Sequence, residues 1–295
     1  MKKEENKNKN KKILIISIII IILIFTVLYF NGEKEYKKII LDSNNLIYYV
    51  IKAQAYYDHK RIIDSRIWAE KVIDKDPENI KANILLAWIF LIGENHEAVM
   101  KYANTALKTD PYNAEAYLVK GMSYKDIGNF KGATSNFRTA TEQDNDYFEA
   151  WLQLGLLYDI ADDPLAAEFY KNALRIDSNN LDALYDYGLH LQNRDLSYPA
   201  MRQYEHILRV NNGYQNAYYN MGYIYLEQLD DMDSAGYFFD KVLALNPYHY
   251  KALYNRGLAY ERSDHPDLAL IDYEKALEIK PDFELAAIGK GRLVE

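Results

Sequence analysis

Cysteine is absent from the 295 residues. That excludes disulfides, thiolate metal sites, a catalytic thiol and a lipid-modified N-terminal cysteine. No glycine-rich phosphate loop ending in Lys-Ser/Thr occurs, and no Gly-x-Ser-x-Gly elbow. Cationic charge is in deficit: 35 Lys+Arg face 43 Asp+Glu, a net charge of −8. Nucleic-acid binding is not expected from such a chain, because phosphate contacts need clustered cations. The six histidines (59, 96, 190, 206, 249 and 265) are isolated, and none lies three or four residues from another. Metal ligands must converge on one point, so no metal site, no cofactor and no catalytic centre are expected. Two acidic clusters, Asp159/Asp162/Asp163 and Asp230/Asp231/Asp233, fall in turn-like stretches and read as helix N-caps, with Asp163 directly before Pro164. Tryptophan numbers 3 and phenylalanine 10, yet tyrosine numbers 28. That excess needs a structural explanation.

Charge is also missing from one continuous stretch. Residues 1–12 carry six Lys and two Glu, but no charged residue occurs from Ile13 to Gly32. Twenty residues at ~1.5 Å per residue reach ~30 Å, about one hydrocarbon core. In lipid the backbone must satisfy itself, so the Ile-rich run is expected to form a transmembrane helix over 13–30 that contacts the lipid bilayer. No small-x-small cleavage site follows, since the local sequence is Tyr29-Phe30-Asn31-Gly32-Glu33, so the span reads as an uncleaved anchor. The lysines before it place a basic tail, 1–12, in the cytoplasm, and residues 31–295 on the extracytoplasmic, periplasmic or extracellular side. Residues 31–45 form a linker.

The remainder repeats. Small residues precede aromatics by three positions at Ala87/Phe90, Gly121/Tyr124, Gly155/Tyr158, Gly222/Tyr225 and Gly257/Tyr260, with Gly188/Leu191 a weaker copy. The small residues are spaced 34, 34, 33, 34 and 35 apart. A second landmark runs in step: Pro77, Pro111, Asn145, Ser178, Asn212, Pro247 and Pro281. Within each unit the apolar pattern has helical periodicity twice, as in Tyr117/Gly121/Tyr124 and then Ala133/Phe137/Ala140, with a Gly128-Asn129 turn between. Four of the seven prolines close units; Pro164, Pro199 and Pro266 open second helices. The glycines are expected to let first and second helices approach closely opposite a small residue (Ala133, Ala166, Ala200, Ala235 or Ala269).

These residues resemble the tetratricopeptide repeat. Trp151, Leu154-Gly155, Tyr158, Ala166, Tyr170 and Ala173 show the pattern most clearly. Seven units are read: 46–79, 80–113, 114–147, 148–180, 181–214, 215–249 and 250–283. Residues 284–295 form a capping helix. In the first two units Ala53 and Ala87 replace the glycine. The resemblance implies an all-α, right-handed superhelical solenoid, preceded here by one transmembrane helix. It also implies a concave wall built by the first helix of each unit.

On that wall the resemblance places candidate partner-binding residues: Gln153, Tyr185, Asp186, Tyr219, Asn220, Tyr223, Tyr254 and Asn255. Amide side chains can bond a peptide backbone in two directions, and tyrosine offers apolar contact with one polar tip. The alternative for these tyrosines is packing between neighbouring first helices. The family's clamp for C-terminal carboxylates is suggested by Lys251, Asn255 and Arg262, but matching partners in adjacent units are absent. In the early repeats Ile84, Leu85, Trp88, Leu91 and Ile92 make an apolar wall, expected to pack against residues 33–45, with a hydrophobic docking patch as the alternative.

The expectation is a non-enzymatic, membrane-anchored scaffold that binds a protein or extended peptide. The Lys/Asn/Ile/Tyr-rich composition resembles that of an AT-rich bacterial genome, and with the anchor and topology above the expected setting is a bacterial cell-envelope complex. The alternatives are a self-associating structural component, or a secreted repeat protein if the apolar segment is cleaved. Oligomeric state is not legible.

Overall fold

The computed structural model describes residues 46–294. The predicted basic tail, transmembrane helix and linker lie outside these residues. Among the described residues no helix is long and apolar enough to cross a membrane. They contain fifteen α-helices and no strand. The helices are α1 (Leu46–Asp58), α2 (Ile62–Ile73), α3 (Ile80–Ile92), α4 (His96–Thr109), α5 (Ala114–Asp126), α6 (Phe130–Gln143), α7 (Phe148–Ile160) and α8 (Ala166–Ile176). There follow α9 (Leu181–Gln192), α10 (Ser197–Val210), α11 (Gln215–Glu227), α12 (Met232–Leu245), α13 (Tyr250–Arg262), α14 (Pro266–Ile279) and α15 (Glu284–Val294). Two compact units divide the chain, Met1–Pro111 and Tyr112–Glu295.

The starts of these helices are written in short polar side chains. Asn79, Asn95, Asn113, Asn129 and Asn180 each accept a hydrogen bond from the backbone N–H three residues on, as do Asp231 and His249. Each cap satisfies one of the N–H groups that a helix start leaves orphaned, worth about 1 kcal/mol. Asp163 acts one step earlier: its Oδ1 accepts from Leu165 N at 2.9 Å, just ahead of α8.

The turns between paired helices share a backbone device that the sequence reading missed. Lys60, Glu94, Gly128, Asp162, Asp195, Asp230 and Asp264 all have positive φ, between 53° and 74°. They recur once per repeat, and only one of the seven is glycine. The left-handed region costs an L-residue roughly 1–2 kcal/mol, and Asp tolerates it better than most because its short side chain bonds locally. Two Asp in the acidic clusters, Asp162 and Asp230, are therefore conformational residues. Asp264→Val should lower stability by about 1–2 kcal/mol, since a β-branched residue fits this region worst. A thermal melt of the variant against wild type checks this.

In the first unit, α1–α4 enclose Ala53, Ala69, Leu85, Leu86 and Ile89, with Tyr57, Trp68, Phe90 and Tyr102 packed around them. Ser65 donates to the Ala53 carbonyl across the α1–α2 contact, 2.8 Å. Of the apolar wall residues, Ile84, Leu85 and Leu91 are buried, Trp88 is half-buried and Ile92 is exposed. Their expected partner, residues 33–45, lies outside the described residues.

In the second unit, each helix from α5 to α15 packs on the next, and first helices also touch across pairs at α7/α9, α11/α13 and α13/α15. Phe137, Tyr170, Tyr204, Phe239 and Tyr273 stand at the centre of the pairs with 0% exposure. Burying such a ring contributes about 1.5–3 kcal/mol.

The structure shows what lies nearest the glycines. A Cβ at Gly121, Gly155, Gly188, Gly222 or Gly257 would lie 2.4–2.9 Å from the ring of Phe137, Tyr170, Tyr204, Phe239 or Tyr273, respectively. The missing side chain thus accommodates an aromatic ring of the second helix. At Gly257 the expected approach to the facing alanine is present as well, with the Ala269 carbonyl at 3.2 Å.

Candidate functional site

Four first helices of the second unit, α7, α9, α11 and α13, carry the candidate residues. The wall tyrosines are inter-repeat wedges. Tyr185 lies between Tyr204 of α10 and Tyr214, the residue before α11, with ring centroids 6.2 and 5.7 Å away. Tyr219 sits likewise between Phe239 and His249, at 5.8 and 5.2 Å. Tyr254 sits between Tyr273 and Phe283, at 5.7 and 5.4 Å. Each wedge joins its own second helix to the entrance of the next repeat, and aromatic pairs of this kind add about 0.5–1.5 kcal/mol beyond burial. All three tyrosines keep one side half-exposed.

The two asparagines behave differently from the expectation. Asn220 and Asn255 are each only 7% exposed. Asn220 Nδ2 donates to the Tyr185 and Tyr204 hydroxyls, both at 3.3 Å. Tyr204 in turn donates to Gln192 Oε1 at 2.8 Å. Asn255 Nδ2 donates to the Tyr219 hydroxyl at 3.1 Å. These amides therefore face the neighbouring repeat, where an unpaired tyrosine hydroxyl would be costly. They hold the wall together instead of reaching for a peptide backbone. Gln153 is half-buried and accepts from Lys125 Nζ at 2.7 Å. Tyr223 is the exposed ring of the set, at 39%.

Asp186 occupies the place that Asn220 and Asn255 hold in the next two repeats. It is half-buried, and no cation lies within ion-pair distance of it among the described residues. Burial raises its pKa to about 6, and the negative charges of Asp182 and Asp159 add to the effect. The folded state therefore binds this proton more tightly than the unfolded chain does. Its contribution to stability is greatest below about pH 4 and is lost as pH rises through about 6. Asp186→Asn should consequently raise the melting temperature at pH 7.5, and the difference should vanish below about pH 4. Melts across that range check it.

A second ladder ties the C-terminal ends of the first helices. Arg194 Nη2 pairs with Asp162 at 2.7 Å, and His190 Nδ1 contacts Asp159 at 2.6 Å. One repeat on, Gln228 Nε2 donates to the Gln192 carbonyl at 2.9 Å and to Asp195 at 3.2 Å. Arg262 donates to the Leu226 carbonyl and to Glu227, both at 2.9 Å. Arg292 of α15 closes the series on Glu261 at 2.8 and 2.9 Å. Arg194, Gln228 and Arg262 are spaced 34 apart, a signal visible in the sequence but overlooked there. With Arg262 and Asn255 engaged between repeats, the suggested carboxylate clamp has lost two of its three groups. A third lock escaped the sequence altogether: Arg256 forms a two-pronged pair with the 2%-exposed Asp272, at 2.7 and 2.8 Å, and also holds Asp240.

The repeat geometry agrees with comparisons to known proteins. Residues 118–192, 215–249 and 250–283 match models of the tetratricopeptide repeat, and these stretches are tetratricopeptide repeats. Among curated proteins of Schizosaccharomyces pombe, anaphase-promoting complex subunit 3 is 25% identical over 113 residues, 38% of this chain. The general transcriptional corepressor ssn6 is 28% identical over 139 residues, 46% of this chain. The alignments span only 17% and 12% of those relatives' own lengths. Among solved structures, MamA is 27% identical with a TM-score of 0.54, over 58% of this chain and 95% of MamA. YrrB, described as a TPR protein with an unusual peptide-binding site, shares the fold at 24% identity and TM-score 0.57, covering 64% of this chain and 97% of YrrB. The C-terminal part of a TPR repeat-containing protein from Cytophaga hutchinsonii has a TM-score of 0.69 at 13% identity, covering 81% of this chain and 98% of that one. The described residues are all helical, and in the second unit the helices stack in sequence around these tetratricopeptide repeats.

Proposed function

We propose that the chain is a membrane-anchored scaffold that binds an extended peptide or protein segment along the first helices of its later repeats, in a bacterial cell-envelope complex. The observation that carries this reading is the file of half-exposed tyrosines, Tyr185, Tyr219 and Tyr254, all wedged between repeats and the first two also held by the asparagine ladder, with Tyr223 exposed beside them. Rings fixed in advance lose little conformational freedom on binding, and tyrosine is enriched among the residues that dominate interfaces. Tethering by residues 13–30 would orient the repeats at the bilayer and raise the effective concentration of a partner held nearby.

Tyr223→Ala should weaken partner binding at least tenfold, a hot-spot loss of about 1.4 kcal/mol or more, without lowering the melting temperature. Titration of wild type and variant against the isolated partner measures this, and unchanged affinity contradicts the groove. Protease access from each face of sealed membranes tests the anchor, which requires residues 31–295 to lie on the extracytoplasmic side.

A second reading, self-association, is favoured by the exposed Leu268 and Ile271 of α14 and Leu285 and Ile288 of α15. Sedimentation of the full chain at several concentrations distinguishes it, since a monomer at all of them excludes it.

A further inference from the structure

The junction between the fourth and fifth repeats carries an acid, Asp186, where the following junctions carry an amide, Asn220 and Asn255. Where a second helix carries a buried tyrosine, its hydroxyl is met by a polar group of its own first helix: Tyr204 by Gln192, and Tyr273 by Glu261. The Tyr170 hydroxyl is likewise buried, with Asp159 of its own first helix at the place of Gln192 and Glu261. It faces two carboxylates, Asp159 and Asp186, whose charges add to the effect of burial in holding its proton. Asp159 is occupied by His190 and lies 3.6 Å from Arg194. Asp186 stands where Asn220 donates to Tyr204, but an ionised carboxylate has no proton to donate. Leu152 also stands where the later repeats place a wall tyrosine, so no hydroxyl reaches Asp186 from that side.

A half-buried carboxylate without a cation costs the fold stability. The cation that reaches neighbouring Asp159 is committed elsewhere: Arg194 pairs with Asp162. Asp182, one turn before Asp186 on α9, adds a second, exposed negative charge. Resting on the groove reading above, we propose that Asp186, supported by Asp182, anchors a lysine or arginine side chain of the bound peptide. A guanidinium or ammonium seated there supplies the missing donors to Asp186 and replaces the protein cation that the junction lacks. The carboxylate clamp suggested in the sequence would hold an anion; this site holds a cation.

The groups facing Asp186 set its pH dependence. They are Asp182 on its own helix, Asp159 on α7 with its His190 and Arg194 partners, Tyr170 on α8, and Tyr214 before α11. Because burial and the two acids raise its pKa to about 6, the anchor is charged above that pH and neutral below it. Affinity should therefore fall as pH drops through about 6.

Selection of a phage-displayed library of random nonapeptides on the full chain tests the proposal. Selected peptides are then titrated, as fluorescent peptides, against wild type, Asp186→Asn, Tyr223→Ala and the remote control Asp282→Asn. The expected result is enrichment of lysine or arginine at one position. Asp186→Asn and replacement of that basic residue by glutamine should each cost at least tenfold in affinity, with Asp282→Asn silent. Asparagine already serves at this place in two later repeats, so the variant should fold, and a melt verifies it. Peptides that depend on Tyr223 but carry no basic residue, or bind Asp186→Asn unchanged, overturn the anchor and leave the groove standing. If no selected peptide is sensitive to Tyr223→Ala, both readings fall.

Discussion

Asp272→Ala is expected to remove about 3–5 kcal/mol of stability, the largest loss of any single substitution considered. Asp272 is 2% exposed and holds Arg256 through two hydrogen bonds, at 2.7 and 2.8 Å. Removing it leaves a half-buried guanidinium with only Asp240, which is itself 56% exposed. Breaking a buried pair from one side costs far more than the pair contributes, because the remaining charge has lost its solvent and its partner. The paired replacement Arg256→Met/Asp272→Leu should therefore recover most of the loss. Because a solenoid's stability is a sum of repeat and nearest-neighbour terms, damage here should show first as fraying of α12–α15. Chemical denaturation followed by circular dichroism, with hydrogen exchange to locate the fraying, measures both. An uncorrected double variant would mean that the site fails through packing and not through charge.

Gly121→Leu is the second large effect, about 3 kcal/mol. A Cβ at this position meets the Phe137 ring at 2.4 and 2.5 Å, the tightest approach among the five repeat glycines. The ring has 0% exposure and cannot swing into solvent. Overpacking of this kind is relieved only by backbone shift. Trimming the ring should relieve it too: Gly121→Ala should cost less in a Phe137→Leu background than in wild type. A double-mutant cycle reads that coupling directly. Additive losses would show that the glycine serves some other neighbour.

How far the sequence anticipated this structure depends on the range of each interaction. Helix pairs were legible because the Gly121/Tyr124 type of signature repeats at nearly constant spacing and helical periodicity is local. The turn conformation at Asp162, Asp195, Asp230 and Asp264 was not read, since aspartate also suits caps and solvated turns. The glycine contacts were assigned to the facing alanines, and the nearest neighbour in each case is the aromatic ring. Pattern shows that small and aromatic residues share an interface, but only coordinates show that the Phe137 ring itself fills the gap. On the wall, spacing brought Tyr185, Tyr219 and Tyr254 onto one face. It did not show that Asn220 and Asn255 turn inward, because that depends on hydroxyls supplied by the preceding repeat 35 or 36 residues away. Asp186 looked like one more polar groove residue. Its isolation became visible only in the structure, where no cation among the described residues lies within ion-pair distance of it. The tyrosine excess now has a physical sense: the same residue type serves as core ring, inter-repeat wedge and hydrogen-bonding post.

The central claim is that recognition occurs on the first helices of the later repeats. The most direct measurement is site-specific photo-crosslinking in native membranes, with the reactive residue placed at Tyr223 on α11 or at Tyr237 on α12. Tyr237 is the more exposed ring, 55% against 39%, so exposure alone favours it. The account predicts a discrete adduct from position 223, abolished by excess peptide from the selection, and none from position 237. Adducts from 237 alone, or equally from both positions and unaffected by the peptide, would contradict it.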